Sequence, residues 1–173
     1  SFDLPVATIR PFNTYGPRMR VDDGRALPAF FVQALHGQPV TVYGDGSQTR
    51  SLCDVDDVVE GILRIMHLKP WPANGIGSNL GDRHISTPES IPVFNIGSTE
   101  EVTILQLAEE IIEITKSKSD IVFEPIPVDD PKIRRPDITR AKQTLHWEPR
   151  VLRLAGLRKM AVYFETTLNK TPR

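Results

Sequence analysis

The sequence holds a single cysteine, Cys53, among its 173 residues. One thiol excludes an internal disulfide framework and any metal site built from several cysteines, and it is typical of a reducing, cytoplasmic protein. Because Cys53 follows apolar Leu52, we expect a packed thiol rather than a reactive one. No apolar run approaches the roughly 20 residues that span a bilayer, so no membrane helix is predicted.

An excess of one charge is also missing, because 21 lysines and arginines oppose 22 aspartates and glutamates. This balance argues against a general nucleic-acid or membrane-surface binder, since both show a basic excess. Hydrophobic residues make up 39% and charged residues 25% of the chain, the composition of a globular domain. The chain opens at Ser1 without a methionine or a signal peptide, and we expect a piece of a longer protein.

Apolar patterns predict strands and helices that alternate along one domain, which is typical of an α/β fold. Short β-rich runs predict strands at 6–10, 40–43, 93–97 and 121–123. Helical spacing predicts helices at 26–36, 54–67, 138–145 and 152–168, and another that begins at Thr103. Residues 68–92 are rich in proline and glycine and have no period, so they are expected to form a flexible surface insertion.

Two helices carry clear start signals. Asp54 is positioned to cap the helix at 54–67, and the Thr103-Ile-Leu-Gln106 segment fits a capping box. The apolar residues of the first of these helices repeat at the spacing of one buried face: Val55, Val58, Val59, Ile62, Leu63 and Met66. We therefore expect this whole apolar stripe to face the core.

Arginines are the most informative polar residues. They fall in loops that follow strands: Arg18, Arg20 and Arg25, then Arg50, then Arg134 and Arg135. Open α/β folds bind ligands at such loops, and guanidinium groups grip diphosphates through two parallel hydrogen bonds. From spacing alone two interpretations stay open, a converging diphosphate site or a set of solvated arginines.

The order of several segments is similar to that of the extended short-chain dehydrogenase/reductases. The matching segments are Arg10-Pro-Phe-Asn13-Thr-Tyr-Gly-Pro-Arg18-Met19, Asp23-Gly24-Arg25, Pro39 to Arg50, Val55 to Gly61, Asp129 to Ile138, and Trp147-Glu-Pro. Within that superfamily the combination most resembles the UDP-glucuronate decarboxylases. The resemblance implies the C-terminal part of such an enzyme, with the last strands of a Rossmann-like parallel sheet and a small substrate-binding α/β subdomain.

The resemblance also implies chemistry. In these enzymes a bound NAD oxidises the sugar at C4, carbon dioxide leaves the 4-keto uronate, and the ketone is reduced again. The implied partners are a UDP-sugar and a second copy of the enzyme in a homodimer. By position, Thr14 and Arg25 resemble cofactor contacts. The implied substrate-binding residues are Asn13, Leu27, Phe31, Tyr43, Gln48, Arg50 and Arg134.

The catalytic residues of the family are absent from this chain. None of Tyr15, Tyr43 and Tyr163 has a lysine four residues later, and the glycine-rich NAD loop is missing. Asp54 stands at a usual tyrosine position and His146 at a usual glycine position of the family. Two other hypotheses stay open, a nucleotide-sugar 4,6-dehydratase or 4-epimerase, and a truncated, non-catalytic binding module.

Overall fold

The computed structural model describes residues 6–68, 92–126 and 135–170. Strands and helices alternate through this part of the chain, which confirms the predicted α/β class. The strands are β1 (Thr8–Pro11), β2 (Thr14–Tyr15), β3 (Val40–Tyr43), β4 (Thr49–Arg50), β5 (Cys53–Asp54), β6 (Val93–Ile96), β7 (Val102–Thr103) and β8 (Ile121–Glu124). The helices are α1 (Ala26–Leu35), α2 (Val55–Met66), α3 (Ile104–Thr115), α4 (Thr139–Leu145) and α5 (Arg153–Lys170). The predicted insertion at 68–92 lies outside the described residues apart from its two ends.

Parallel pairing dominates the sheet topology. β1 pairs with β6, β2 with β5 and β3 with β8, all in parallel, whereas β4 and β7 are antiparallel. Parallel neighbours require crossover connections, which here contain helices. Within the described residues, each of the four sheets has two strands.

Two hydrophobic cores lie beneath these elements. The larger core joins α1, β3, α3 and α5, and in it the rings of Phe31 and Phe164 lie 5.5 Å apart. The smaller core joins β6, α2 and α4 around Trp147, which is 1% exposed. The indole nitrogen of Trp147 donates to the backbone oxygen of Asp57 at 3.0 Å, so the segment after α4 is fixed to the start of α2.

Helix α2 corrects one expectation. Its buried positions include Val58, Gly61 and Ile65, but Val59, Leu63 and Met66 are 47%, 43% and 69% exposed. The described elements cover only part of the apolar face of α2. Gly61 packs against Ile96 and Trp147, and this contact covers a narrow part of the helix surface. The exposed three form an apolar strip on one helix face.

Strand β1 has one edge without a partner strand among the described residues. Among the described residues β1 pairs only with β6, and Thr8 and Arg10 are exposed. Parallel sheets are normally covered on both faces, and a two-stranded sheet is marginally stable in water. We therefore expect additional strands, from further sequence or another chain, to pair with β1 in the functional protein.

Histidines end three of the helices. His36, His67 and His146 are the C-cap residues of α1, α2 and α4. The first two have ordinary negative φ angles, whereas His146 has φ +50°. That left-handed conformation favours glycine, which is the residue that the family resemblance implies at this position.

Replacing His146 with glycine is expected to stabilise the protein by about 1 kcal/mol, because the left-handed backbone then carries no Cβ strain. For a domain of this size the melting temperature should rise by about 2–4 °C. The matched control is His36→Gly, a C-cap histidine with φ −89° and no such strain to relieve. Equal changes in melting temperature for the two variants would contradict this account.

Candidate functional site

A cleft of about 670 Å³ lies among five parts of the fold. They are the loop after β2, the start of α1, strand β4 and the ends of strands β3 and β8. Most of the binding residues implied by the resemblance line it. These are Asn13, Thr14, Arg25, Leu27, Tyr43, Gln48 and Arg50. The fold thus brings together residues that the sequence separates widely, and their binding roles stay predictions.

One of the predicted residues, Phe31, does not line the cleft. Phe31 is completely buried in the larger core against Phe164, and its neighbour Phe30 lines the cleft instead. Phe31 is absent from the cleft lining because α1 packs with that ring inward, and its binding role stays a prediction. Arg134 lies outside the described residues, so its convergence with Arg50 stays a prediction.

Asn13 offers an unused hydrogen-bond donor to the cleft. Its backbone has φ +36°, a conformation that asparagine tolerates better than most residues. The backbone oxygen of Asn13 accepts a hydrogen bond from the backbone nitrogen of Cys53 at 3.2 Å. The side-chain nitrogen Nδ2 is buried and has no hydrogen-bond partner within the described ranges. A buried unpaired donor is costly, and a bound acceptor would satisfy it.

The end of β3 forms the opposite wall. Tyr43 is half-exposed there, and its backbone oxygen accepts from Nε2 of buried Gln48 at 2.8 Å. Between them the chain turns sharply, and a Cβ on Gly46, which has φ +73°, would lie 2.8 Å from Cβ of Leu105. The Gly-Asp-Gly-Ser turn therefore depends on glycine for both its conformation and its close packing on α3.

Arg50 reaches the cleft from β4. Antiparallel pairing opposite Val102 fixes its backbone, and its Nη1 donates to the carbonyl of Thr49 at 2.8 Å. Arg25 enters from the loop before α1, where Asp23 binds its guanidinium group through two hydrogen bonds. Two guanidinium groups on one cleft make it suited to a ligand that carries phosphates.

Sequence reasoning missed several lining residues. Gln33 and Thr41 line the cleft and bind each other, since Nε2 of Gln33 donates to Oγ1 of Thr41 at 3.1 Å. Glu124 also lines it, because the β3–β8 pairing sets it opposite Tyr43. The pairing of β3 with a strand about 80 residues later could not be read from local patterns.

Tyr15 lines the cleft floor but is unsuited to acid–base catalysis. Its hydroxyl donates to the backbone oxygen of Arg153 at 3.1 Å. Burial, and then the nearby Asp54 carboxylate, raises the pKa of Tyr15 well above its ordinary value. A Cβ on Gly156 would lie 2.2 Å from the Tyr15 oxygen, so α5 holds this ring tightly in place.

Cys53 and Asp54 have structural roles. Burial, with help from Asp57 and Asp54, raises the pKa of the Cys53 thiol to about 12, which confirms the expected packed thiol. Asp54 caps α2 by accepting a hydrogen bond from the backbone nitrogen of Asp56 at 2.9 Å. This explains how aspartate serves at a position where the family usually has tyrosine.

The described ranges contain neither a metal-binding cluster nor a membrane-spanning helix. No cluster of three or more histidine, cysteine, aspartate or glutamate side chains there has a geometry that would hold a metal ion. Within the same ranges no helix is both long enough and apolar enough to cross a bilayer.

Comparisons with known proteins agree with this geometry. Residues 1–74 match the NAD dependent epimerase/dehydratase family. A UDP-glucose 4-epimerase from Thermotoga maritima, solved with UDP-glucose, has a TM-score of 0.76 and 32% identity over 92% of this chain and 46% of that chain. A UDP-glucuronic acid 4-epimerase from Bacillus cereus, solved with UDP-glucuronic acid and NAD, has a TM-score of 0.77 and 28% identity over 96% of this chain and 47% of that chain. The chain is therefore a relative of the NAD dependent epimerase/dehydratase family, as its motifs predicted.

Sequence similarity points to one branch of that family. UDP-glucuronic acid decarboxylase 2 of Arabidopsis thaliana is 43% identical over 162 residues, which are 94% of this chain and 32% of that protein. The resemblance to UDP-glucuronate decarboxylases is thus confirmed. The chain spans about a third of the length of this curated relative.

Proposed function

We propose that this chain is the substrate-binding part of an NAD-dependent enzyme that decarboxylates UDP-glucuronate to UDP-xylose. The observation that carries the proposal is the 43% identity to a UDP-glucuronic acid decarboxylase over 94% of the chain. The cleft supports it, because its arginines and the unused donor of Asn13 suit a nucleotide diphosphate.

Different cleft residues bind different parts of the substrate. Nδ2 of Asn13 and the guanidinium group of Arg50 bind the diphosphate, and Arg134 keeps the diphosphate role that the family resemblance implies. Leu27 and Tyr43 form walls around the uracil, while Gln48 fixes the β3 turn that carries Tyr43.

The reaction depends on oxidation at C4 of the sugar. A ketone at C4 makes the C5 carboxylate a β-keto acid, and loss of carbon dioxide then leaves a stabilised enolate. The enolate takes a proton at C5, which restores the C4 ketone. A bound NAD would supply the hydride chemistry that oxidises C4 at the start and reduces the ketone at the end. Thr14 and Arg25 line the cleft and carry the donors that would hold the cofactor on this chain.

A 4-epimerase acting on UDP-glucuronate is the second candidate. It is favoured by the TM-score of 0.77 with the Bacillus cereus UDP-glucuronic acid 4-epimerase. Both reactions pass through the 4-keto sugar and differ in whether the carboxylate is retained. The lower identity to that enzyme, 28%, makes decarboxylation the better supported reaction.

Product analysis tests the choice. The upstream part of the Arabidopsis relative, joined to Ser1 of this chain, gives a completed enzyme that can be incubated with NAD and UDP-glucuronate. We expect UDP-xylose and carbon dioxide, measured by chromatography and trapping of labelled carbon dioxide. UDP-galacturonate as the product would support the epimerase, and no turnover by a folded fusion would contradict both candidates.

We also propose that the complete enzyme is a cytoplasmic homodimer. Support for the location comes from the single buried thiol, which is typical of a reducing compartment. Light scattering of the completed enzyme at micromolar concentration should give twice the monomer mass, and a monomer mass would contradict the dimer.

A further inference from the structure

The loop between β2 and α1 carries two similar ion pairs, each with the arginine and the aspartate two residues apart. Arg25 binds Asp23 through Nε and Nη2, and Arg20 binds Asp22 through the same two nitrogens. Only Arg25 lines the cleft, whereas Arg20, Asp22 and Asp23 do not. The two pairs thus have the same chemistry in different positions.

The geometry points to Asp23 as a positioning residue, which holds Arg25 so that its remaining guanidinium donors face a phosphate group of the ligand in the cleft. This inference rests on the proposed function, because it requires a phosphate-bearing ligand. Asp23 binds the Nε–Nη2 side of the guanidinium group, so Nη1 is left for the ligand. Arginine donors lie in a rigid plane, and fixing one edge therefore fixes the direction of the others.

Burial and charge agree with this role. The Asp23 side chain is 23% exposed, compared with 58% for Arg25, so the carboxylate is the more covered partner of the ion pair. The hydrogen bonds from Arg25 lower the pKa of Asp23, and the carboxylate stays charged at neutral pH. Gly24 lies between the two residues with φ +81°, a left-handed conformation that glycine adopts without Cβ strain.

If Asp23 acted only through its charge, removing it would have the opposite effect on ligand affinity. A negative charge next to a phosphate site repels the ligand, so Asp23→Asn would strengthen binding if the carboxylate acted only through its charge. If Asp23 positions Arg25, the same change weakens binding, because the guanidinium group then samples many orientations. The direction of the change distinguishes the two roles.

The test measures UDP and NAD binding to the completed enzyme by calorimetry for the wild type, Asp23→Asn and Asp22→Asn. Asp22→Asn is the matched control, since it removes the same charge from the same loop but releases an arginine outside the cleft. We expect Asp23→Asn to weaken binding of one ligand roughly two- to fivefold, the range for an exposed ion pair, with an unchanged melting temperature. Weaker binding of NAD would agree with the proposed cofactor contact of Arg25, and weaker binding of UDP would assign Arg25 to the substrate instead.

A double-mutant cycle adds a measurement that a merely structural role would not satisfy. In an Arg25→Ala background, Asp23→Asn should have no further effect on affinity, because the group that it positions is gone. Equal or tighter binding by Asp23→Asn, or an additive loss in that background, would overturn the inference while leaving the proposed function intact. Failure of the wild-type completed enzyme to bind either ligand would overturn both.

Discussion

Arg50→Ala is expected to weaken UDP binding about ten- to a hundredfold. A charge-assisted hydrogen bond contributes about 1.5–3 kcal/mol, and this variant removes the guanidinium group that β4 presents to the cleft. Arg50→Lys should recover only part of the loss, because an ammonium group cannot form the two parallel bonds of the guanidinium fork. Calorimetric titration with UDP gives the affinities.

The control for Arg50→Ala is Arg158→Ala. Arg158 is an exposed arginine on α5 that does not line the cleft, and its loss should leave UDP affinity within error of the wild type. Melting curves separate binding from folding, since the side chain of Arg50 also donates to the carbonyl of Thr49. Equal affinities for the two variants and the wild type would show that Arg50 does not bind the diphosphate.

The chain alone is expected to show no detectable conversion of UDP-glucuronate and no retained NAD. The reason is chemical, because the residues include neither a Tyr-x-x-x-Lys pair nor the glycine-rich loop that the family resemblance implies. Burial raises the pKa of Tyr15, so this tyrosine cannot substitute as the acid and base. Joining the upstream part of the Arabidopsis relative should restore turnover by supplying both features.

A matched variant makes the comparison specific. The completed enzyme with its Tyr-x-x-x-Lys tyrosine replaced by phenylalanine should fold and bind UDP but lose turnover by about a hundredfold or more, the usual contribution of a positioned acid–base group. Measurable formation of UDP-xylose by the 173-residue chain would contradict the interpretation that catalysis requires residues from elsewhere.

The elements of this fold were well predicted where local signals agree. Thr103 accepts a hydrogen bond from the backbone nitrogen of Gln106 at 3.1 Å, which is half of the predicted capping box. The amide of Gln106 itself donates to Glu110 at 3.0 Å. Caps and turns depend on residues close in sequence, so they can be predicted without the tertiary structure.

The sequence was less informative about which apolar residues are covered. The helical spacing placed Val59, Leu63 and Met66 on one face with Val58, but burial depends on the width of the surface opposite α2. Phe30 and Phe31 show the same limit at the cleft. Both are buried on α1, and only the tertiary packing decides that Phe31 lies against Phe164 whereas Phe30 also lines the cleft.

The candidate site was predictable in part because its residues occur in segments with a family resemblance. Asn13, Gln48 and Arg50 were found in this way, and the fold brings them to one cleft. Glu124 was not found, because its position depends on the long-range pairing of β8 with β3. Contacts between distant strands leave no period in the sequence.

The central claim, that the cleft binds the nucleotide diphosphate of a UDP-sugar, is tested most directly by titrating the isotope-labelled chain with UDP and following its NMR signals. The account predicts saturable shifts confined to the cleft, with the side-chain amide of Asn13 and the Nε–H of Arg50 among the largest, and no shifts at Met66 on the exposed strip of α2. The absence of saturable shifts, or shifts that cluster away from Asn13, Tyr43 and Arg50, would contradict it.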